Sequence, residues 1–278
     1  MKDSSAFHEF YRNQWGDRWP HLWEALHQKE TQVARINAFD PPPIGDDAPN
    51  PAAIPRGKKG LLSIYYMDPG SIVIAQALGV EPGQQVLDLC AAPGGKSLIL
   101  IEASGGEGNV VLNEFSQARR ARLRKVIQQY VPRDVRERVV ITGQDGGLLA
   151  KRHSCSFDRV LVDAPCSGER HLIHSPQRLK EWTPAQAKRL SQRQYGLLAG
   201  GFEAAKPGGR IVYSTCTLSK LENEGVVARL LEKKKDRVRL IRGEDPAGSE
   251  SADFGFHILP DHSQGSGPFF CAILEKWS

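Results

Sequence analysis

No stretch of the 278 residues holds the roughly 18–20 consecutive apolar residues that a bilayer-spanning helix needs, so no membrane-spanning helix is expected. The sequence has no C-x-x-C pair, which excludes a zinc ribbon and a thioredoxin-type redox centre. Its five cysteines, Cys90, Cys155, Cys166, Cys216 and Cys271, are odd in number and widely spaced, which argues against a disulfide framework. Most are expected to be small core residues. There is no G-x-G-x-x-G fingerprint, and a P-loop would need glycine where Cys90 stands. Met1–Phe10 carries Lys2, Asp3 and Glu9 and lacks the apolar centre of a secretory signal. It also lacks the Arg-rich, acid-poor character of a mitochondrial transit segment, so a cytoplasmic protein is expected.

Forty per cent of the residues are hydrophobic, enough for a sizeable core, and wholesale disorder is excluded. The formal charge of +5 is unevenly placed: residues 244–278 hold six acids and one base, leaving about +10 on the remainder. A basic body suits a polyanionic partner, nucleic acid before membrane, although charge runs also occur as plain solvated faces.

Residues 7–39 are rich in aromatics, and from Pro20 onward Leu22, Trp23 and Leu26 fall on one helical face. This reads as a helical cap whose aromatics dock it onto the main body. Residues 40–59 contain six prolines and read as an extended linker. Two regions follow: a cap with linker, 1–59, and a catalytic domain, 60–278. Asp68 is placed to cap a helix beginning at Pro69.

From residue 84 strand and helix alternate. QQVLDLC, NVVLNE, RVVIT, FDRVLVD, RIVYST and VRLIR read as strands. Residues 96–103, 116–130, 183–205 and 220–235 read as helices, and PFFCAILEKW as a closing antiparallel strand. The expected fold is α/β: a doubly wound, mostly parallel, Rossmann-like sheet. Ligands in such sheets bind outside the carboxyl ends of the strands. The first strand leads into Cys90-Ala91-Ala92-Pro93-Gly94-Gly95-Lys96, whose tandem glycines allow a tight turn and close backbone approach. Glu114 ends the second strand, 19 residues past Gly95, where a carboxylate can hold a ribose diol. Asp145, followed by Gly146, succeeds the third strand and can accept from an adenine amino group; Asp163 ends the fourth. Each acid alone could be a helix cap, but together they describe an adenosine site without a pyrophosphate clamp.

LDLCAAPGGK (87–96), VDAPCSGERH (162–171) and YSTCTL (213–218), in that order and at strand ends, resemble the RNA cytosine-5 methyltransferase family over roughly residues 60–278. WGDRWP (15–20) and SIYYMD (63–68) are similar to its Sun-type branch, which includes the mitochondrial small-subunit rRNA enzyme. The resemblance implies S-adenosylmethionine as cofactor. Gly94, Gly95 and Lys96 would lie at its methionine end, with Glu114 on the ribose and Arg119 at the neighbouring edge. Asp145 and Gly146 would hold the adenine, and Asp163 the reacting end.

Carbon 5 of cytosine is a poor nucleophile until a thiolate adds to carbon 6. Cys166 and Cys216 both follow strand ends, and the residues alone do not order them. The resemblance makes Cys216 the nucleophile and Cys166 the group that assists release, with Asp163 hydrogen-bonding the base. A cytosine must be single-stranded or flipped out to enter such a site. Lys180, Lys188, Arg189 and Arg193 lie beside the Pro-Cys loop and are candidates for RNA phosphates. Arg119, Arg120, Arg122, Arg124 and Lys125 form a second basic set spread over several faces of one helix. His171 and His174 have no further ligand group beside them, and no metal is expected. No separate RNA-binding module is evident, so the cap, the basic surface or a protein partner would do that work. Ribosomal RNA is the preferred target. The alternatives are a tRNA cytosine-5 methyltransferase, a catalytically silent RNA-binding assembly factor on the same fold, and an NAD-type dehydrogenase, which the missing glycine fingerprint opposes.

Overall fold

A computed structural model describes residues 4–43 and 54–278, so much of the proline-rich 40–59 segment lies outside the described residues. Helices α1 (Ser5–Trp15) and α2 (Trp19–His27) precede strand β1 (Val33–Ile36). Then come β2 (Ile64–Met67), α3 (Pro69–Ala77), β3 (Val86–Asp88), α4 (Gly95–Ala103), β4 (Val110–Asn113), α5 (Gln117–Tyr130), α6 (Arg133–Arg136) and β5 (Val139–Thr142). The chain continues through α7 (Gly146–Arg152), β6 (Phe157–Asp163), α8 (Glu169–Ile173), α9 (Pro176–Glu181), α10 (Pro184–Ala204) and β7 (Ala205–Thr215). It closes with α11 (Glu224–Lys234), β8 (Val238–Leu240), β9 (Glu250–Ala252), β10 (Gly255–Ile258) and β11 (Phe269–Lys276).

The main sheet runs β5-β4-β3-β6-β7-β11-β10-β9, with β8 also paired to β11. From β5 to β7 all pairs are parallel; β11 runs antiparallel to β7, as its sequence predicts. Strand alternation divides the core. Val86, Leu161, Val212 and Cys271 pack toward α3, α4 and α5, whereas Leu87, Val160, Val162, Tyr213 and Phe270 pack toward α7, α10 and α11. β3 has β4 on one side and β6 on the other, so the chain reverses its winding there and opens a crevice at the strand ends.

Asp68 caps α3 as expected, its carboxylate accepting from the Gly70 N–H at 2.7 Å. α11 starts at Glu224, later than the expected 220, because Asn223 is drawn away to bond Thr217 O and Thr215 Oγ1. Two features were not expected. β9 and β10 extend the sheet beyond β11 from a short, polar segment. β1 pairs antiparallel with β2, Val33 opposite Met67, although Val33 and Ile36 read as part of the helical cap. The Asp40 carboxylate also accepts from the N–H groups of Lys59 and Leu61. A boundary at 59/60 therefore falls inside one hydrogen-bonded unit.

The cap is docked by its aromatics. Phe7, Tyr11, Trp19, Leu22 and Leu26 are buried with Leu172, Trp182 and Leu218. Each such side chain contributes on the order of 1.5–3 kcal/mol. Arg18 adds ion pairs to Glu250 and Asp261 at 2.6 and 2.8 Å. Arg170 of α8 is buried and donates to the carbonyls of Gln28 and Gly267, both at 2.9 Å.

Candidate active site

The turn after β3 is shaped by its two glycines. Gly94 has φ +120°, a conformation open to glycine and strained for other residues. A Cβ on Gly95 would come within 2.8 Å of the Tyr65 ring. The second glycine thus makes room for β2 as well as for a ligand. A cavity of about 210 Å³ lies here, lined by Cys90 through Lys96, Asp88, Asp163, Tyr65 and Ser71. A second, of about 460 Å³, is lined by Cys90, Glu114, Arg119, Asp145, Gly146 and Gly147, among others. The two meet at Cys90. Every residue expected at the cofactor lines one or both.

Glu114 is buried; its Oε1 accepts from the Ser116 N–H at 2.8 Å. Its Oε2 is buried without a hydrogen bond, with Arg119 Nη1 at 3.4 Å in an ion pair. Arg119 also donates to Ala92 O at 2.6 Å, tying α5 to the glycine turn. Asp145 is a helix cap that also lines the larger cavity. Its Oδ1 caps α7, accepting from the N–H groups of Gly147 and Leu148 at 3.0 and 3.2 Å. The Cys90 thiol is pushed up by burial and then by the Asp88 charge, so it stays a neutral lining group.

Lys96 does more than line the smaller cavity. Its ammonium donates to Asp163 Oδ2 at 2.9 Å and Ser71 Oγ at 3.1 Å. Asp163 Oδ1 accepts from Ser214 Oγ at 2.7 Å. Burial alone would lower the lysine, but Asp163, and charge on Cys216 and Asp88, outweigh it and push it up. Asp88 was not singled out in the sequence. It is buried, with Oδ2 accepting from Ser97 Oγ at 2.7 Å and Oδ1 unpartnered. Burial, opposed by the Ser97 bond and helped by the Asp163 charge, raises its carboxyl to about 7.

The two motif cysteines come together. Cys166 Sγ and Cys216 Sγ are 2.6 Å apart, both as free thiols, and the Cys216 N–H points at Cys166 Sγ at 3.2 Å. The Cys166 thiol is pushed well up, by its bond to Cys216 first, then by burial and the charges of Cys216, Glu222 and Glu169. Burial and these neighbours disfavour a thiolate at Cys166.

What holds the loops is a reciprocal pair of carboxylates, which sequence reading missed. Glu169, three residues after Cys166, reaches the other loop: Leu218 N–H and Thr217 Oγ1 donate to it at 3.0 and 2.5 Å. Tyr11 of α1 donates to the same carboxylate. Glu222, six residues after Cys216, reaches back and accepts from the N–H and hydroxyl of Ser167. Gln194 of α10 donates to Glu222 at 2.8 Å and to Pro165 O at 2.9 Å. Ser167 Oγ and Thr217 Oγ1 meet in the middle at 3.1 Å. Burial and the Glu169 charge raise Glu222 to about 7.

That shift has a measurable consequence. Because the folded value lies above the ordinary 4.5, folding favours the protonated acid. Its stabilisation is complete at low pH and is lost as pH rises through about 7. Glu222→Gln keeps the contacts, with the amide oxygen on Ser167 N–H and Gln194 and the amide nitrogen donating to Ser167 Oγ. Between pH 5 and 8 the wild type is expected to lose about 3 kcal/mol relative to this variant, read by urea denaturation. Parallel pH profiles would show that Glu222 does not titrate there.

Of the four basic residues expected at RNA, Arg189 and Arg193 line a third cavity beside Cys166, joined by Arg178, which was not expected. Lys180 and Lys188 are exposed on α9 and α10 and line none of these cavities.

A doubly wound sheet with a glycine turn, a strand-end acid after β4 and no phosphate loop defines the Rossmann-like methyltransferase class. Within that class, the family described as 16S rRNA methyltransferase RsmB/F matches residues 75–275, and the chain belongs to it. It is 44% identical over 180 residues to the 5-cytosine rRNA methyltransferase NSUN4 of Bos taurus, covering 63% of this chain and 47% of that one. It is 34% identical to the mitochondrial tRNA (cytosine(34)-C(5))-methyltransferase of Mus musculus over 80% of this chain and 66% of that one. The solved structure of NSun6 from Pyrococcus horikoshii with SFG superimposes with a TM-score of 0.74 at 18% identity, covering 98% of each chain. The chain spans about half the length of the NSUN4 relatives it matches.

Proposed function

We propose that this protein is an S-adenosylmethionine-dependent RNA cytosine-5 methyltransferase acting on small-subunit ribosomal RNA. The observation that carries the reading is the pair of free thiols at 2.6 Å, standing beside a lysine–aspartate pair that lines the glycine-turn cavity. The residues present fit the cofactor. Two buried carboxylate oxygens lack hydrogen bonds, Glu114 Oε2 in the larger cavity and Asp88 Oδ1 in the smaller. They suit a ribose hydroxyl and a ligand ammonium. Asp145 and Gly146 would border the adenine. When bound, S-adenosylmethionine supplies an electrophilic methyl group.

The remaining chemistry belongs to the chain. The Cys216 thiolate adds to carbon 6 of cytosine and pushes an electron pair toward carbon 5. Asp163, held by Lys96 and Ser214, hydrogen-bonds the base. Once carbon 5 is methylated, its proton passes to solvent, the C–H pair re-forms the carbon 5–carbon 6 double bond, and the carbon–sulfur pair returns to Cys216. Cys166, in contact with that sulfur, assists this release. Bisulfite sequencing of total RNA from cells lacking the protein tests the reading: one rRNA cytosine should lose its mark. Loss from a tRNA instead would favour the second reading, which the 34% identity to a tRNA enzyme supports. An unchanged map would favour a silent assembly factor.

Glu114→Ala removes the acceptor assigned to the ribose. S-adenosylmethionine binding is expected to weaken by about 1–3 kcal/mol, and less for Asp145→Asn, which keeps an acceptor. Calorimetry giving wild-type affinity for both would move the cofactor elsewhere.

A further inference from the structure

The third cavity, of about 560 Å³, lies against Cys166 but is lined by neither Cys216 nor Asp163. Its size falls in the usual range of about 300–1,000 Å³ for ligand sites. A target cytosine must touch both Cys216 and Asp163, so this space is not where that base reacts. Arg178 and Arg189 border it, and Arg193 stands on the ridge it shares with the larger cofactor cavity. All three are exposed, and among the described residues none is in an ion pair. With Glu181 counted, the rim carries a net charge of about +2. One wall is Trp182, whose ring meets Phe7, Phe10 and Tyr11 of the cap at centroid distances of 5.1, 5.0 and 6.0 Å. The Trp182 indole N–H is buried without a hydrogen-bond partner.

Resting on the RNA reading above, we propose that this cavity takes the nucleotide flanking the target cytidine. Its phosphate lies on Arg178, Arg189 and Arg193. Its base enters against the Trp182 wall, with Glu181 able to accept from an exocyclic amino group. Free guanidinium groups beside an apolar lining that includes Trp182, Leu172 and Leu190 combine charge for the backbone with an apolar contact for the base. Filling it would leave the neighbouring cytosine unstacked at Cys216. The cap then serves substrate choice indirectly, because Phe7, Phe10 and Tyr11 fix the Trp182 wall.

The test uses a synthetic single-stranded RNA spanning the cytidine mapped by bisulfite sequencing, with 5-fluorocytidine at that position to trap the enzyme. Two further versions carry an abasic residue on its 5′ or 3′ side. Expected is a roughly ten-fold weaker binding of one abasic RNA by the wild type, with covalent trapping retained at saturation. Arg178→Ala with Arg189→Ala should bind the intact RNA more weakly, with a shallower salt dependence, and should no longer distinguish the abasic version. S-adenosylmethionine affinity of that variant should be unchanged. Two results overturn the proposal while leaving the methyltransferase reading standing. One is binding by the wild type that is equally tight for the intact RNA and for both abasic versions. The other is a variant that binds RNA normally but fails to trap it, which would make this the target-base pocket. Failure of the wild type to trap any of the three RNAs would sink the covalent reading, and the proposal with it.

Discussion

Cys216→Ala is expected to abolish methyl transfer and every covalent link to RNA while leaving S-adenosylmethionine binding intact. A free thiol with a pKa near 8.5 is only a few per cent ionised at neutral pH, so the nucleophile needs an activating pocket. Cys216 lies against Cys166, their sulfurs 2.6 Å apart, on the same rim as the Lys96–Asp163 pair. The Cys166 thiol is pushed up by that contact and by Glu222 and Glu169. Cys166→Ala should therefore still add to the base and transfer methyl, but release slowly. A protein–RNA adduct should accumulate in the presence of S-adenosylmethionine and survive a denaturing gel. The double variant should show none, since addition precedes trapping. Adduct in Cys216→Ala and none in Cys166→Ala would reverse the two roles. Methylation intact in both would remove covalent catalysis from the protein.

The strand ends carried most of what was legible in the sequence. Parallel strands place their carboxyl termini on one rim, so Cys90, Glu114, Asp145, Asp163, Cys166 and Cys216 could be gathered from strand positions alone. The two thiols could not be ordered that way, because both follow strands and both have polar neighbours. Their order comes from the family resemblance; what the structure adds is that the charges of Glu222 and Glu169 stand behind Cys166. Those carboxylates were not legible. Glu169 stood only inside the VDAPCSGERH stretch, and Glu222 only inside the helix expected over 220–235. Only the folding of the two loops against each other buries them. β1 was missed for a related reason. Four residues with no turn signal, pairing with β2 some 30 positions later, leave no local pattern to read. Asp88 was read as part of a strand, and its unpartnered oxygen becomes visible only once Ser97 takes the other.

Glu169→Ala is expected to cost more than any other single change behind the thiols. Three buried donors lose their acceptor at once: Tyr11 Oη, Thr217 Oγ1 and the Leu218 N–H. An unsatisfied buried donor costs about 1–3 kcal/mol, so the sum is about 3–6 kcal/mol after partial rearrangement. Relief of the repulsion on Glu222 offsets part of this, because the Glu169 charge helps to raise that acid. For a chain of this size the melting temperature should fall by roughly 10 °C. Tyr11→Phe removes one donor and leaves the other two in place, so its cost should be near 1 kcal/mol. Glu169→Gln retains the pattern, its amide oxygen on Leu218 N–H and its nitrogen donating to the two hydroxyls. At a temperature where Glu169→Ala remains folded, kcat should drop on the order of 10²-fold with little change in KM. The Cys166 and Cys216 loops would then be free to drift by about an ångström. Restoration of both melting temperature and kcat in Glu169→Gln would assign the effect to hydrogen bonding. A Glu169→Ala protein with wild-type Tm and kcat would show that the loops hold their thiols without this carboxylate.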